Sequence, residues 1–318
     1  MNSITLKAFA KINLTLDVLG KLPNGFHQVE MIMQQISLHD EVFISYEEVS
    51  EDSRPNTDEK FLIKLSTNRS YLPVDSRNLA YKAAQLMIKN FGHSAESGKF
   101  TININKNIPV AAGLAGGSSN CAAVIHGINK LWNLKLTLGQ LCSLGSELGS
   151  DVPFCIMGQS AADDILKEDF KYDSLSCHCA LASGTGTDLK PLKGLESYVV
   201  LSKPPISVST AEVYKGIDSE DIAVRPDNEA MISAIKENNY KVVDKNMVNV
   251  LENFTLKRYP KVVYTKNKMS DLYNLGCSIM SGSGPTVFCL CQDAAKAENL
   301  CSEMLKINKE SFWAETTR

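Results

Sequence analysis

The sequence predicts an α+β protein, with mostly antiparallel sheets and helices layered in two blocks. Three observations predict it. Segments with period-two alternation open the chain and recur before residue 106. Capped helical stretches separate and follow them, and a second mixed block begins at the apolar run 198–209. At 318 residues, 44% hydrophobic and 22% charged, the chain has ordinary globular composition and length for about two domains.

The elements follow in order. From Ile4 to Val18 every even position is apolar and most odd ones are polar, which predicts a long half-buried strand. Lys11 and Asn13, two apart, then share one face, about 6–7 Å from each other along the strand. Pro23-Asn24-Gly25 turns the chain, with Phe26 and His27 immediately behind. EVFISYEEV at 41–49 and KFLIKL at 60–65 read as strands around a polar loop at 50–59. Asp75-Ser76 is expected to cap a helix through Asn90 that ends near Gly92, and KFTININ at 99–105 alternates again. The small-residue loop PVAAGLAGGSS at 109–119 leads into an apolar helix, with Ser118 and Ser119 expected as its caps. Thr137 and Gln140 have capping-box spacing, and that helix stops at Gly149. Asp151 sits at the following junction, before Val152-Pro153-Phe154-Cys155. Residues 161–179 show no clean period. The second block continues with a capping box at Ser209 and Glu212, helices near 227–252 and 258–275, and strands around SGSGP at 281–285.

Composition narrows the function classes. A net charge of −3 and a pI near 6.0 give no basic field, so neither a nucleic acid nor a membrane surface is expected as partner. Nine cysteines, an odd number scattered through apolar runs, read as reduced thiols. Cys177-His178-Cys179 has no second Cys/His pair nearby, and no metal centre is expected. MNSITLKAFA lacks the apolar core of a signal peptide and no stretch approaches about 20 apolar residues, so the expected location is cytoplasmic. No sequence feature fixes an oligomeric state.

The loop at 109–119 carries the most chemistry. Small side chains let backbone N–H groups approach a ligand, and a helix start offers unpaired N–H groups with the positive end of the helix dipole. No Lys follows the glycines as in a Walker loop, and Gly113, Gly116 and Gly117 do not fit G-x-G-x-x-G. On spacing alone, a phosphate site and a plain tight turn before a helix remain open.

Four segments in order, AKINLTLDVLGKLPNGFH at 10–27, PVAAGLAGGSS at 109–119, LGSDVPFC at 148–155 and SGSGPTVF at 281–288, together resemble the GHMP small-molecule kinases. The resemblance implies a two-domain fold: an N-terminal domain like ribosomal protein S5 domain 2 over 1–160, and a ferredoxin-like C-terminal domain over 161–318. Residues 161–179 are then an insertion, since the family's small-residue strand and Gly-x-Gly are met only in ALASGTGTDL at 180–189. The GFH and STAEVY features point within the family to a nucleotide-linked substrate. The implied activity is ATP-dependent phosphorylation of the 2-hydroxyl of a cytidine-diphosphate-linked methylerythritol, in the non-mevalonate isoprenoid pathway. The alternatives are another GHMP kinase acting on homoserine, mevalonate or a sugar alcohol, a decarboxylase of the same fold, or a non-catalytic nucleotide-binding module.

The resemblance also assigns residues. Lys11 and Asp151 match the catalytic pair, with Asp151 as base or orienter of the attacking hydroxyl and Lys11 as its electrostatic partner. Pro109, Val110, Ala111, Ala112, Gly113, Leu114, Ala115, Gly116, Gly117, Ser118 and Ser119 match the ATP-phosphate loop, and Ser118 and Ser119 are placed to touch phosphate or Mg²⁺. Asn13 is expected to position the polyol, Phe26 and Tyr214 to sandwich the cytosine, and His27 to read its edge. Asn78 corresponds to a position near the nucleotide. Two departures are visible: Ala115 stands where the family often has a third glycine, and Asn120 where it often has an acid.

Overall fold

The first strand, β1 (Ser3–Lys21), is buried on both faces over much of its length. Every residue from Ala8 to Val18 is buried, Lys11, Asn13, Thr15 and Asp17 included, which corrects the half-buried expectation. Later chain covers the polar face. Thr15 Oγ1 donates to Asn228 Oδ1 (2.6 Å), Leu16 is hydrogen-bonded through its backbone to Val248 and Val250, and Asp17 accepts from Arg225. These partners lie more than 200 residues away in sequence, so alternation alone does not announce them.

The computed structural model describes residues 2–49, 60–92, 97–273 and 276–318, and the expected loop at 50–59 lies outside them. The chain divides into two compact units, each assembled from three stretches: 1–9, 39–108 and 116–176 in one, and 10–38, 109–115 and 177–318 in the other.

In the first unit, the outer part of β2 (His27–Glu48) pairs antiparallel with β4 (Gly98–Asn105), setting Val42 opposite Ile104 and Ile44 opposite Ile102. β3 (Phe61–Thr67) joins β4 in parallel, and α1 (Leu79–Phe91) follows β3 in the chain. The N-cap of α1 is Asn78, whose side chain accepts from Ala80 N; Asp75, expected in that role, binds Arg77 instead. Helix α2 (Gly116–Leu131) packs on α1, and Trp132 just beyond it meets Phe100 and Tyr46 edge-on, closing the apolar core. α3 (Leu138–Ser146) carries both halves of the capping box at Thr137 and Gln140 and ends before the Gly149 expected as its stop. α4 (Val152–Ala162) packs against α2 and α3. His126 Nε2 donates to Ile156 O (3.0 Å) between α2 and α4, and complete burial lowers the ring's pKa to about 4. The aperiodic segment beyond α4 holds the single-turn α5 (Lys167–Phe170), which packs Phe170 on the His126 ring.

In the second unit, the inner part of β2 pairs with β5 (Cys179–Ser183), which forms a hairpin with β6 (Asp188–Leu192). β7 (Tyr198–Lys203) leads to α6 (Thr210–Ile217), where Ser209 accepts from Glu212 N as the capping spacing predicts. The helix expected over 227–252 is two short ones, α7 (Asn228–Lys236) and α8 (Tyr240–Asn246), and a third, α9 (Glu252–Arg258), begins where it was expected to end. The first break lies at Asn238, which is left-handed (φ 52°), and Asn239, whose side chain caps α8. α10 (Pro260–Leu272), β8 (Ser278–Met280), β9 (Val287–Cys291), α11 (Ala294–Leu305) and β10 (Glu310–Glu315) complete the chain. The sheet order β10-β7-β9-β8 is antiparallel throughout, with α10 and α11 packed on it. No disulfide joins the nine cysteines. Among the described residues no helix is long and apolar enough to cross a membrane, and no three or more His, Cys, Asp or Glu side chains gather as a metal site.

Candidate active site

In the loop 109–115 every second residue from Ala111 is left-handed: Ala111 at φ 50°, Gly113 at 74° and Ala115 at 55°. Such local reversals turn backbone N–H groups into concavities that bind anions. The unit holds this shape from two sides. Lys11 N, on β1, donates to Leu114 O (3.2 Å), and Ser281 Oγ donates to Gly113 O (3.0 Å). A Cβ on Gly113 would lie 2.2 Å from Ser281 O, so only glycine admits both the backbone angle and the approach of the 281–284 turn. That turn is fixed in its own right by Asn249, whose Nδ2 donates to Met280 O (2.7 Å) and Gly282 O (2.8 Å). Pro109, Ala112 and Leu114 are buried, Val110, Gly113 and Ala115 half-buried, and Ala111 exposed. The left-handed Ala115 stands at the position where the family often has glycine.

Lys11 and Asn13 share one face of β1, as the alternation predicts. Lys11 Nζ donates to Asn13 Oδ1 (2.8 Å), and Asn13 Nδ2 reaches Met31 Sδ (3.2 Å). Lys11 is only 4% exposed and Asn13 fully buried. Burying a lysine costs several kcal/mol unless charge and hydrogen bonds compensate, and the bond to Asn13 is one such compensation.

At the start of α2, the cap expectation is corrected: the helix begins at Gly116, so Ser118 and Ser119 lie inside its first turn. Ser119 is fully buried, its Oγ donating to Phe9 O (2.5 Å) and its carbonyl accepting from Gln159 Nε2. Gly116 is buried, Gly117 exposed and Ser118 half-buried. The approach to this helix is organised by Asp40, which spacing did not reveal. Asp40 Oδ1 accepts from Asn107 N (2.7 Å) and Ile108 N (2.8 Å), and Oδ2 from Lys106 Nζ and Asn120 Nδ2 (2.8 Å). Asn120, on α2, therefore lends an amide to a carboxylate of β2, where an acid would have faced it in repulsion. Burial lowers the pKa of Lys106, against the raising effect of Asp40.

Asp151 is the residue before α4, half-buried, with Pro153 in the helix's first turn. Its side chain makes no N-cap hydrogen bond to that helix. Asn78, by contrast, works as the cap of α1.

Within the second unit the structure brings His27 and Tyr214 together, with ring centroids 5.4 Å apart at 42°. Phe26, next to His27 in the chain, is 60% exposed, a large aromatic surface presented to solvent. His27 Nε2 lies 2.6 Å from Asp218 Oδ1, and Lys21 Nζ lies 3.5 Å from the second oxygen. The hydrogen bond from His27 is the main cause of a lowered Asp218 pKa. Asp218 escaped the sequence reading, although it follows Tyr214 by one helical turn on α6 and so emerges on the same face.

Comparison with known proteins adds an independent line. The GHMP kinases N terminal domain matches residues 78–159, and the GHMP kinases C terminal domain matches 231–309. A protein from Alkaliphilus metalliredigens (strain QYMF) named 4-diphosphocytidyl-2-C-methyl-D-erythritol kinase is 40% identical over 317 residues, 99% of this chain and 97% of its own. One of the same name from Clostridium botulinum (strain Alaska E43 / Type E3) is 42% identical over 304 residues, 95% of each chain. A crystal structure of 4-(cytidine 5'-diphospho)-2C-methyl-D-erythritol kinase superposes with a TM-score of 0.74 at 25% identity, covering 99% of this chain and all of the other. The fold is the two-domain GHMP fold that the four segments predict.

Proposed function

The chain belongs to the 4-diphosphocytidyl-2-C-methyl-D-erythritol kinase family of GHMP kinases, and from that premise we propose that it phosphorylates the 2-hydroxyl of 4-diphosphocytidyl-2-C-methyl-D-erythritol with ATP. The observation that carries this choice of substrate is the contact of His27 with Tyr214 beside the exposed Phe26. Aromatic faces with a polar ring nitrogen suit a nucleobase. Homoserine and mevalonate carry no such ring for them to grip.

The residues fit a triphosphate donor. The left-handed turns at Ala111, Gly113 and Ala115 and the start of α2 at Gly116 are both backbone anion sites. Ser118 suits a bound Mg²⁺ better than Ser119, whose hydroxyl is spent on Phe9 O. When bound, Mg-ATP supplies the phosphoryl group and the cation that offsets its charge. Asp151 acts as base or orienter of the attacking hydroxyl, and Lys11 as electrostatic partner that stabilises the developing negative charge. Asn13, held by Lys11 Nζ, positions the polyol. Phe26 and Tyr214 flank the cytosine and His27 meets its edge. The division at 1–160 and 161–318, with 161–179 as an insertion, accompanies this reading.

A panel of alcohols tests it. Purified protein with Mg-ATP is expected to release ADP with the cytidine-linked methylerythritol and not with homoserine, mevalonate or galactose. Turnover confined to one of the latter would overturn the proposal.

A further inference from the structure

The partner of His27 has a consequence for which base is accepted. A carboxylate only accepts hydrogen bonds, so the 2.6 Å contact with Asp218 Oδ1 requires a proton on His27 Nε2. In the neutral ring the lone pair then resides on Nδ1. The His27 side chain is 7% exposed and its ring lies against Tyr214, so reorientation would break the carboxylate bond and the ring contact together. Asp218 is held in turn: it closes α6, the helix that also carries Tyr214, and Lys21 faces its second oxygen. We infer that Asp218 is a positioning residue that fixes the His27 tautomer and thereby makes His27 select a cytosine base over a uracil base. Nδ1, an acceptor, complements the 4-amino group of cytosine. Uracil presents a carbonyl oxygen at that position, acceptor against acceptor. The inference rests on the proposed cytidine-linked substrate and adds to it the origin of base selectivity.

The test combines a spectrum with kinetics. In imidazole ¹⁵N–¹H correlation spectra at pH 8, the His27 signal, identified among five histidines by its loss in His27→Ala, is expected to show protonated Nε2 and unprotonated Nδ1. Asp218→Ala is expected to mix the tautomers. Asp218→Asn keeps the shape but adds a donor, and is expected to do the same without disturbing packing. In steady state the wild type should favour the cytidine-linked over the uridine-linked alcohol by about a hundredfold or more in kcat/KM. Either variant should raise KM for the cytidine substrate about tenfold, hold kcat within about twofold, and narrow the preference by about tenfold.

A proton on Nδ1 in the wild type would overturn the inference. So would variants that leave both KM values unchanged, or that raise them equally for the two bases. In those cases turnover of the cytidine substrate by the wild type leaves the proposed function standing. A wild type that phosphorylates neither alcohol, with the expected tautomer in the spectrum, would instead overturn the substrate reading and base selection with it.

Discussion

Lys11 is buried on β1 and Asp151 stands at the start of α4, and it is the resemblance of the segments around them that gives this pair the chemical assignment. Asp151→Asn and Lys11→Ala are each expected to lower kcat by about 10²–10⁴. Circular dichroism and thermal melts should show both variants folded, and near-wild-type turnover of either would remove that residue from the mechanism. The shared face of Lys11 and Asn13 was legible because a strand's period of two fixes it whatever surrounds the strand. Asp40 and Asp218 were harder to find. Asp40 draws its partners from chain more than 60 residues away. Asp218 was in principle visible as the residue one turn after Tyr214, but its meaning depends on His27, which lies 191 positions away.

Among the elements, the loop 109–115 has the least tolerance. Gly113→Ala adds a Cβ at a left-handed backbone angle and 2.2 Å from the carbonyl of Ser281. It is expected to cost about 1–3 kcal/mol in urea unfolding and to raise KM for ATP more than KM for the alcohol. Equal stability and unchanged ATP kinetics would show that the 281–284 turn does not hold the loop. The contact between α2 and α4 makes a second prediction. His126 has its pKa lowered to about 4 by burial, so the folded state binds fewer protons than the unfolded one between that value and the ordinary 6.5. This stabilisation is complete above pH 6.5 and is lost as pH falls through about 4. It amounts to roughly 3 kcal/mol, an order-of-magnitude figure. Denaturation curves of His126→Gln should show a shallower loss of stability over that window than the wild type. Element boundaries were legible where the signal is local, as at the Thr137 capping box. They failed where a competing cap or a left-handed Asn intervened, at Asn78 and at Asn238–Asn239.

At the scale of the whole molecule, the α+β class and the mostly antiparallel pairing follow from alternation and turn chemistry. The assembly of each unit from three separate stretches does not, because it depends on which later segments cover the second half of β1. The segment 161–179 is aperiodic yet anchored: Asp163 accepts from Lys7 N, and Leu166 and Phe170 are buried. Order and spacing of four short segments nonetheless identified the family, since together they span nearly the whole chain while each alone is ambiguous. The most direct measurement is ³¹P NMR of the purified protein incubated with Mg-ATP and 4-diphosphocytidyl-2-C-methyl-D-erythritol. A new phosphomonoester resonance coupled to the 2-position of the methylerythritol, growing in step with ADP, is the expected result. ATP consumed with no phosphate on that carbon, or no consumption by protein shown to be folded, would contradict it.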